Sequence, residues 1–240
     1  MSQAKIRLYV DQALGLGQAV AVGVDQANYL FNVMRLGAGD AALLFNGRDG
    51  EWRAVVAQGG KRSGVLVCEA QTAPLRLPPD LWLLFAPIKK ARTDFIVEKA
   101  VELGAARIMP VQTRFTNERI RVDKLLAHAR EAAEQCGATV VPEVAEVIPL
   151  ERALAAWPSD RHLLWCDEAL AGAPTALGGV RGGPWAILIG PEGGFAPDEQ
   201  ARLRTLPSVV PLSLGPRILR ADTAAVAAMT LWQSALGDWA

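Results

Sequence analysis

The sequence predicts an α/β protein with a parallel sheet covered by helices on both faces, preceded by a small closed or half-closed β-barrel. Three observations carry this. From Leu81 onward, short apolar runs alternate with helical segments, as in successive βαβ units. Before Gln71 the runs are short, rich in β-formers and separated by Gly- or Asp-bearing turns, with one helical interruption. Between the two regions, Gln71–Asp80 (QTAPLRLPPD) holds three prolines without periodicity and reads as a linker. The expected division is 1–72 for the barrel, 73–80 for the linker and 81–240 for the α/β domain.

In the first region the expected strands are Ile6–Val10, Ala19–Val22, Asp40–Phe45, Glu51–Ala57 and Gly64–Ala70, with Asn46–Gly50 (NGRDG) as a turn. The helix is Asp25–Leu36, capped by Asp25, with Leu30, Val33, Met34 and Phe31 as its apolar stripe. In the second region Leu81–Ala86 is a strand and Thr93–Leu103 a helix closed by Gly104. Arg107–Val111 is the next strand, followed by the polar loop Thr113–Glu118 and a helix over Val122–Cys136 closed by Gly137. Val140–Val144, His162–Cys166, Trp185–Ile189 and Val209–Leu212 are strands; Pro149–Ala156, Pro197–Leu206 and Ala221–Ala235 are helices. Asp167–Gly183 is a Gly/Ala-rich loop.

A chain of 240 residues with 51% hydrophobic content can bury a full core. No apolar stretch reaches membrane-spanning length, and MSQAKIRLYV carries no signal-peptide pattern, so a cytoplasmic protein is expected. Cys68, Cys136 and Cys166 have no ligand-like spacing, and His128 and His162 stand alone, which leaves a metal site or a Ser-His-Asp triad without support. Net charge is zero, but its distribution is uneven: Lys89–Arg130 carries a net +5, and the chain from Glu131 onward a net −6. A basic middle on a neutral chain is where a phosphate backbone would sit.

Two glycine turns follow expected strands. The first, Gly190-Pro191-Glu192-Gly193-Gly194, leads into Pro197-Asp198-Glu199, whose proline and acids suit a first helical turn. The second runs through Ser213-Leu214-Gly215-Pro216-Arg217 to Arg220-Ala221-Asp222-Thr223 at the last helix. Neither is a GxGxxG dinucleotide fingerprint or a GxxxxGK[ST] phosphate loop, which disfavours nicotinamide and nucleoside triphosphate sites. What remains is a ligand site at the carboxyl edge of a sheet, built from backbone amides, with Glu192, Arg217, Arg220 and Asp222 as its polar groups.

LIGPEGGFAPDE (Leu188–Glu199) and LSLGPRILRADTAA (Leu212–Ala225) resemble the paired motifs of the RsmE family of the SPOUT superfamily, methyltransferases acting on N3 of a uridine in small-subunit (16S) ribosomal RNA. Supporting matches are VEKAVELGAARIMPVQTRF (Val97–Phe115), EQCGATVVPEV (Glu134–Val144), YLFNVMRLGAGD (Tyr29–Asp40) and LFNG (Leu44–Gly47), so the resemblance spans almost the whole chain. Departures are Tyr29 where the family often has His, Ala138 where it has Arg, and Asp222 where it commonly has Glu.

The resemblance implies a PUA-like RNA-binding barrel, a SPOUT domain with a C-terminal trefoil knot, and a homodimer acting on small-subunit RNA within the 30S particle. It implies S-adenosylmethionine held by Leu188, Ile189, Gly190, Pro191, Gly193, Gly194, Leu212, Leu214, Gly215, Ile218 and Leu219, with no metal. Arg7, Arg35, Lys89, Lys90, Arg92 and Arg114 are the candidate RNA contacts, and Arg220, with Asp222 or Glu192, the candidate catalytic group. Two rivals stay open: another SPOUT transferase, acting on ribose 2′-OH or transfer RNA, and a catalytically silent RNA-binding protein.

Overall fold

The computed structural model describes residues 4–172 and 182–240; part of the expected Asp167–Gly183 loop, 173–181, lies outside the described residues. The chain divides into two compact units, one taking the chain up to Leu77 together with Ala133–Val141, the other Pro78–Ala132 and Pro142–Ala240.

The first unit holds β1 (Arg7–Tyr9), β2 (Ala19–Val22), β3 (Ala41–Phe45), β4 (Glu51–Gly59) and β5 (Gly64–Ala73), in the spatial order β1-β3-β4-β5-β2. β1 pairs with β3 in parallel and the other ladders are antiparallel. β1 and β2 are the edge strands and do not pair with each other, and three register shifts interrupt the β4–β5 ladder. β5 reaches Ala73 and so consumes the start of the expected linker. The NGRDG turn is held by Asn46, whose Oδ1 accepts the N–H groups of Arg48 and Asp49 at 3.0 and 2.9 Å.

The expected helix over Asp25–Leu36 is corrected. One α-turn, α1 (Val24–Ala27), begins after Gly23 with no side-chain cap, so Asp25 is not its cap. It widens at once into a π-helical stretch, Asn28–Val33. Wider turns rotate the stripe: Leu30 is fully buried, whereas Val33 and Met34 are 60% and 42% exposed.

The second unit contains β6 (Leu81–Phe85), α2 (Lys90–Glu102), β7 (Arg107–Gln112), most of α3 (Val122–Cys136), β8 (Glu143–Val144), β9 (Ile148–Pro149), α4 (Leu150–Ala155), β10 (His162–Cys166), β11 (Trp185–Ile189), α5 (Pro197–Thr205), β12 (Val209–Leu212) and α6 (Ala221–Leu236). Its sheet runs β12-β10-β11-β6-β7-β8, with β9 also on β7, and every pair is parallel. The expected strand Val140–Val144 shrinks to β8, because Pro142 cannot donate to a ladder. All five residues of β11 are buried, as a central parallel strand requires. Leu84, Leu163, Trp165, Ala186 and Leu188 form one core with Leu150, Leu154 and Leu203 of α4 and α5. The alternating residues Leu83, Phe85, Leu164, Ile187 and Ile189 are buried too, and α6 packs against β11 and α2.

Candidate active site

Strand register decides which loops meet. Phe85 pairs with Ile189, Trp165 with Leu188, and Cys166 with Leu212. Parallel strands in this alignment deliver Gly190, Asp167 and Ser213 to one edge of the sheet. The spatial order also turns there: β6 and β11 are neighbours, with β7 on one side and β10 and β12 on the other. Crevices at such points hold ligands in open α/β sheets.

A cavity of about 500 Å³ opens at this edge. Its wall contains nine of the expected cofactor residues: Ile189, Gly190, Pro191, Gly194, Leu212, Leu214, Gly215, Ile218 and Leu219. The other two lie elsewhere. Leu188 is fully buried and packs into the core shared with α4 and α5, because adjacent strand residues point to opposite faces. Gly193 borders a second recess and faces Phe115.

The first glycine turn is fixed by its neighbours. A Cβ on Gly190 would stand 2.7 Å from the Phe195 ring, and Phe195 itself packs edge-on against Trp165. Gly194 has φ +69° and donates to Pro191 O at 2.9 Å; a Cβ there would run into the Glu168 carboxylate. Pro197 opens α5, and Glu199 accepts the Ala196 N–H at 2.8 Å and the Arg114 N–H at 2.9 Å. In the second turn Gly215 has φ +102° and its carbonyl accepts the Gly172 N–H at 3.0 Å.

Of the expected polar groups, Glu192, Arg217 and Arg220 line the cavity. Asp222 does not, but Arg92 links it to the wall: its Nη1 donates to Glu192 Oε1 at 3.2 Å and its Nε lies 3.8 Å from Asp222 Oδ2. Asp222 is the second residue of α6, behind the cap residue Arg220, and its Oδ1 accepts the Thr223 N–H at 3.0 Å. An N-cap position for Asp222 is thereby excluded.

The expected RNA contacts divide. Lys89 and Arg92 line the cavity. Arg35 is exposed, with φ +58°. Lys90, itself exposed, pairs with the mostly buried Asp94, and Arg114 pairs with Asp198 at 2.9 Å between exposed side chains that water can reclaim. Arg7 is different. It donates to Glu51 at 2.6 Å and to the carbonyls of Ala133, Glu134 and Ala138, and its side chain is 11% exposed. Those donors hold the first unit together and are not available to RNA.

Trp165, Cys166, Asp167, Glu168, Phe195 and Gln200 also line the cavity, and sequence reasoning missed them. Asp167 and Glu168 reach this edge only through the register of β10 with β11 and β12, which residue spacing does not reveal. Burial pushes the Cys166 thiol up to about 12, so it stays neutral and is no nucleophile. The histidines do not stand alone. His128 lies 3.5 Å from Asp94 and 3.6 Å from Glu98, and His162 packs on Trp185 with ring centroids 4.7 Å apart; neither lines the cavity. Among the described residues no group of three or more His, Cys, Asp or Glu is arranged to hold a metal.

Two family models match this chain: an RNA methyltransferase domain over residues 75–233 and an RNA methyltransferase PUA domain over residues 23–67. The fold is that of an RNA methyltransferase, with a SPOUT-type domain and a PUA domain. Ribosomal RNA small subunit methyltransferase E of Mycobacterium bovis is 31% identical, covering 92% of this chain and 88% of the relative; that of Rickettsia conorii is 28% identical over 93% of both. The crystal structure of Ribosomal RNA small subunit methyltransferase E from Neisseria gonorrhoeae bound to S-adenosyl methionine superposes with a TM-score of 0.88, at 27% identity, covering 98% of this chain and 99% of that one. The chain belongs to the ribosomal RNA small subunit methyltransferase E (RsmE) family.

Proposed function

We propose that this chain transfers the methyl group of S-adenosylmethionine to N3 of a uridine in 16S ribosomal RNA. It acts as a homodimer in the cytoplasm, on RNA within the 30S particle. Residues 1–72 serve as the RNA-binding domain and 81–240 as the catalytic, dimerising domain, whose C-terminal segment forms the knot. The observation that supports this most is the cavity at the carboxyl edge of the parallel sheet, walled by both glycine turns.

The wall suits this cofactor. Gly215 has open space where a Cβ would stand, so a ligand can approach its backbone. Ile189, Leu212, Leu214 and Leu219 offer apolar surface to an adenine, while Glu168 and Glu192 offer carboxylates to a cationic ligand. When bound, the cofactor supplies an electrophilic methyl, whose bonding pair departs with sulfur as N3 bonds to carbon.

The chain's own task is to prepare N3 and hold it in line. N3 must give up its proton before its lone pair can attack; Asp222 or Glu192 takes or orients that proton, which then passes to water. Charge left on the ring spreads to the flanking carbonyl oxygens, where Arg220 stabilises it. Arg92 faces both carboxylates and fixes their placement. Most of the acceleration comes from alignment of the two substrates.

Arg35, Lys89, Lys90, Arg92 and Arg114 provide the phosphate contacts, so RNA affinity falls steeply with salt. Replacing Arg35 and Lys90, which lie outside the cavity wall, by Ala lowers RNA affinity and leaves cofactor affinity unchanged. The decisive experiment is mass mapping of small-subunit RNA from cells lacking this chain. Loss of one N3-methyluridine is expected; loss of a ribose methyl or a transfer-RNA mark, or no change, overturns the proposal.

A further inference from the structure

Beside the cofactor cavity lies a second recess of about 540 Å³, whose wall includes Phe115, Asn117 and Gly193. The two spaces share Lys89, Pro191 and Glu192. Phe115 is 43% exposed although its turn is rigidly built. Thr113 and Thr116, both buried, bond to each other through their hydroxyls at 2.8 Å, and the Thr113 N–H donates to Thr116 Oγ1 at 3.0 Å. Gln112 donates to Thr116 O at 3.0 Å, and the Arg114 N–H is held by Glu199 at 2.9 Å. An aromatic ring kept at the wall of a recess by a turn with this many bonds is held for contact with something outside the core.

Gly193 completes that wall. A Cβ on it would stand 3.3 Å from Phe115 Cβ, tighter than ordinary packing, so the glycine lets the first turn close against the aromatic residue. Asn117 is exposed, and no hydrogen bond of its side chain is found among the described residues, which leaves its amide free to donate and accept. Lys89 adds a cation at the boundary with the donor cavity.

We propose that this recess receives the target pyrimidine, splayed out of the RNA, with Phe115 as its stacking platform and Asn117 reading its polar edge. Unstacked bases are recognised in RNA by aromatic faces combined with hydrogen bonds to their edges. The shared boundary at Lys89, Pro191 and Glu192 puts such a base against the methyl-donor cavity, as in-line transfer needs. The inference rests on the methyltransferase activity proposed above, and makes Phe115 and Asn117 specificity-determining residues for it.

The test uses the full chain with 30S particles. Phe115→Leu keeps apolar bulk and removes the ring face; kcat/KM for RNA should fall roughly tenfold, mainly through KM, as expected for one lost stacking contact. Phe115→Tyr should restore it, and S-adenosylmethionine affinity by calorimetry should stay at the wild-type value in both. Asn117→Ala, at an exposed side chain, should lower kcat/KM for RNA by roughly fivefold, as one lost hydrogen bond does, even if Phe115→Leu fails to fold. Wild-type kcat/KM in Phe115→Leu or Asn117→Ala, equal loss in Phe115→Tyr, or a parallel loss of cofactor affinity overturns the subsite. A wild-type product other than N3-methyluridine overturns the proposed reaction instead, and the Phe115 comparison still reads out on that product.

Discussion

Arg92 Nε lies 3.8 Å from Asp222 Oδ2, and the same guanidinium donates to Glu192 Oε1 at 3.2 Å. One side chain of α2 thus ties the first glycine turn to the first turn of α6, elements that lie far apart in the chain. The side chains of Arg92, Glu192 and Asp222 are 29%, 52% and 21% exposed, so water weakens both pairs. Their stability contribution is small, and their effect is to hold two carboxylates in place.

Arg92→Gln should therefore slow single-turnover methylation by at least roughly tenfold while lowering unfolding free energy by less than about 1 kcal/mol. Arg92→Lys should rescue poorly, since an ammonium cannot reach two carboxylates as a planar fork does. A wild-type rate in Arg92→Gln would show that the link has no catalytic role.

Gly215 and Gly193 should behave differently when enlarged. Gly215 has φ +102° and lines the cavity proposed for the cofactor, so Gly215→Val both strains the backbone and intrudes on that space. Calorimetry should show S-adenosylmethionine binding abolished in a folded protein. Gly193→Val, placed against Phe115 in the second recess, should bind the cofactor with little change and lose RNA turnover. Equal cofactor affinities for the two variants would remove the distinction between the recesses.

The parallel sheet was legible because its signals are local. Trp185–Ile189 is a continuous apolar run, and Pro197-Asp198-Glu199 opens a helix with N-terminal chemistry, so strand, turn and helix appear at the expected residues. The π-helical stretch over Asn28–Val33 was not legible, because NYLFNV fits an α-periodic stripe equally well and only packing chooses the wider turn. The role of Arg7 was hidden for a related reason: its partners are backbone carbonyls more than 120 residues away. In the site, glycine spacing marked both turns, whereas Glu168 and Phe195 depend on strand register and cannot be read from spacing.

Stability away from the site depends on another arginine. Arg161 is 6% exposed, donates to both carboxylate oxygens of Asp80 at 2.9 Å and to Trp185 O at 2.9 Å, and lies 3.6 Å over the Trp82 ring. Asp80 keeps 58% of its side chain exposed, so losing its partner leaves no buried anion. Arg161→Met should then lower unfolding free energy by about 2–3 kcal/mol, below the cost of breaking a fully buried pair, through the lost hydrogen bonds to Asp80 and Trp185 O and the lost stacking. Denaturant titration measures it, and a change under about 0.5 kcal/mol, the range of an ordinary surface substitution, would make this a surface residue in energetic terms.

The position of Asp222 sharpens the test of its chemistry. It is the second residue of α6, where an acid favours the helix through the dipole, and its Oδ1 accepts the Thr223 N–H at 3.0 Å. Asn keeps that acceptor and the side-chain length, so Asp222→Asn preserves the local bond and removes the charge that faces Arg92. If Asp222 takes or orients the N3 proton, single-turnover methylation by Asp222→Asn should be slowed most at low pH. The deficit should shrink as pH rises, because uracil then ionises without help and a missing base matters less. If Asp222 serves only the helix, the variant should lose a few tenths of a kcal/mol in stability, the dipole effect of one exposed charge, and match the wild-type rate at every pH. A third outcome, a deficit of the same size at all pH values, assigns Asp222 to placing Arg92 and leaves Glu192 as the proton acceptor; Glu192→Gln should then carry the pH-dependent loss.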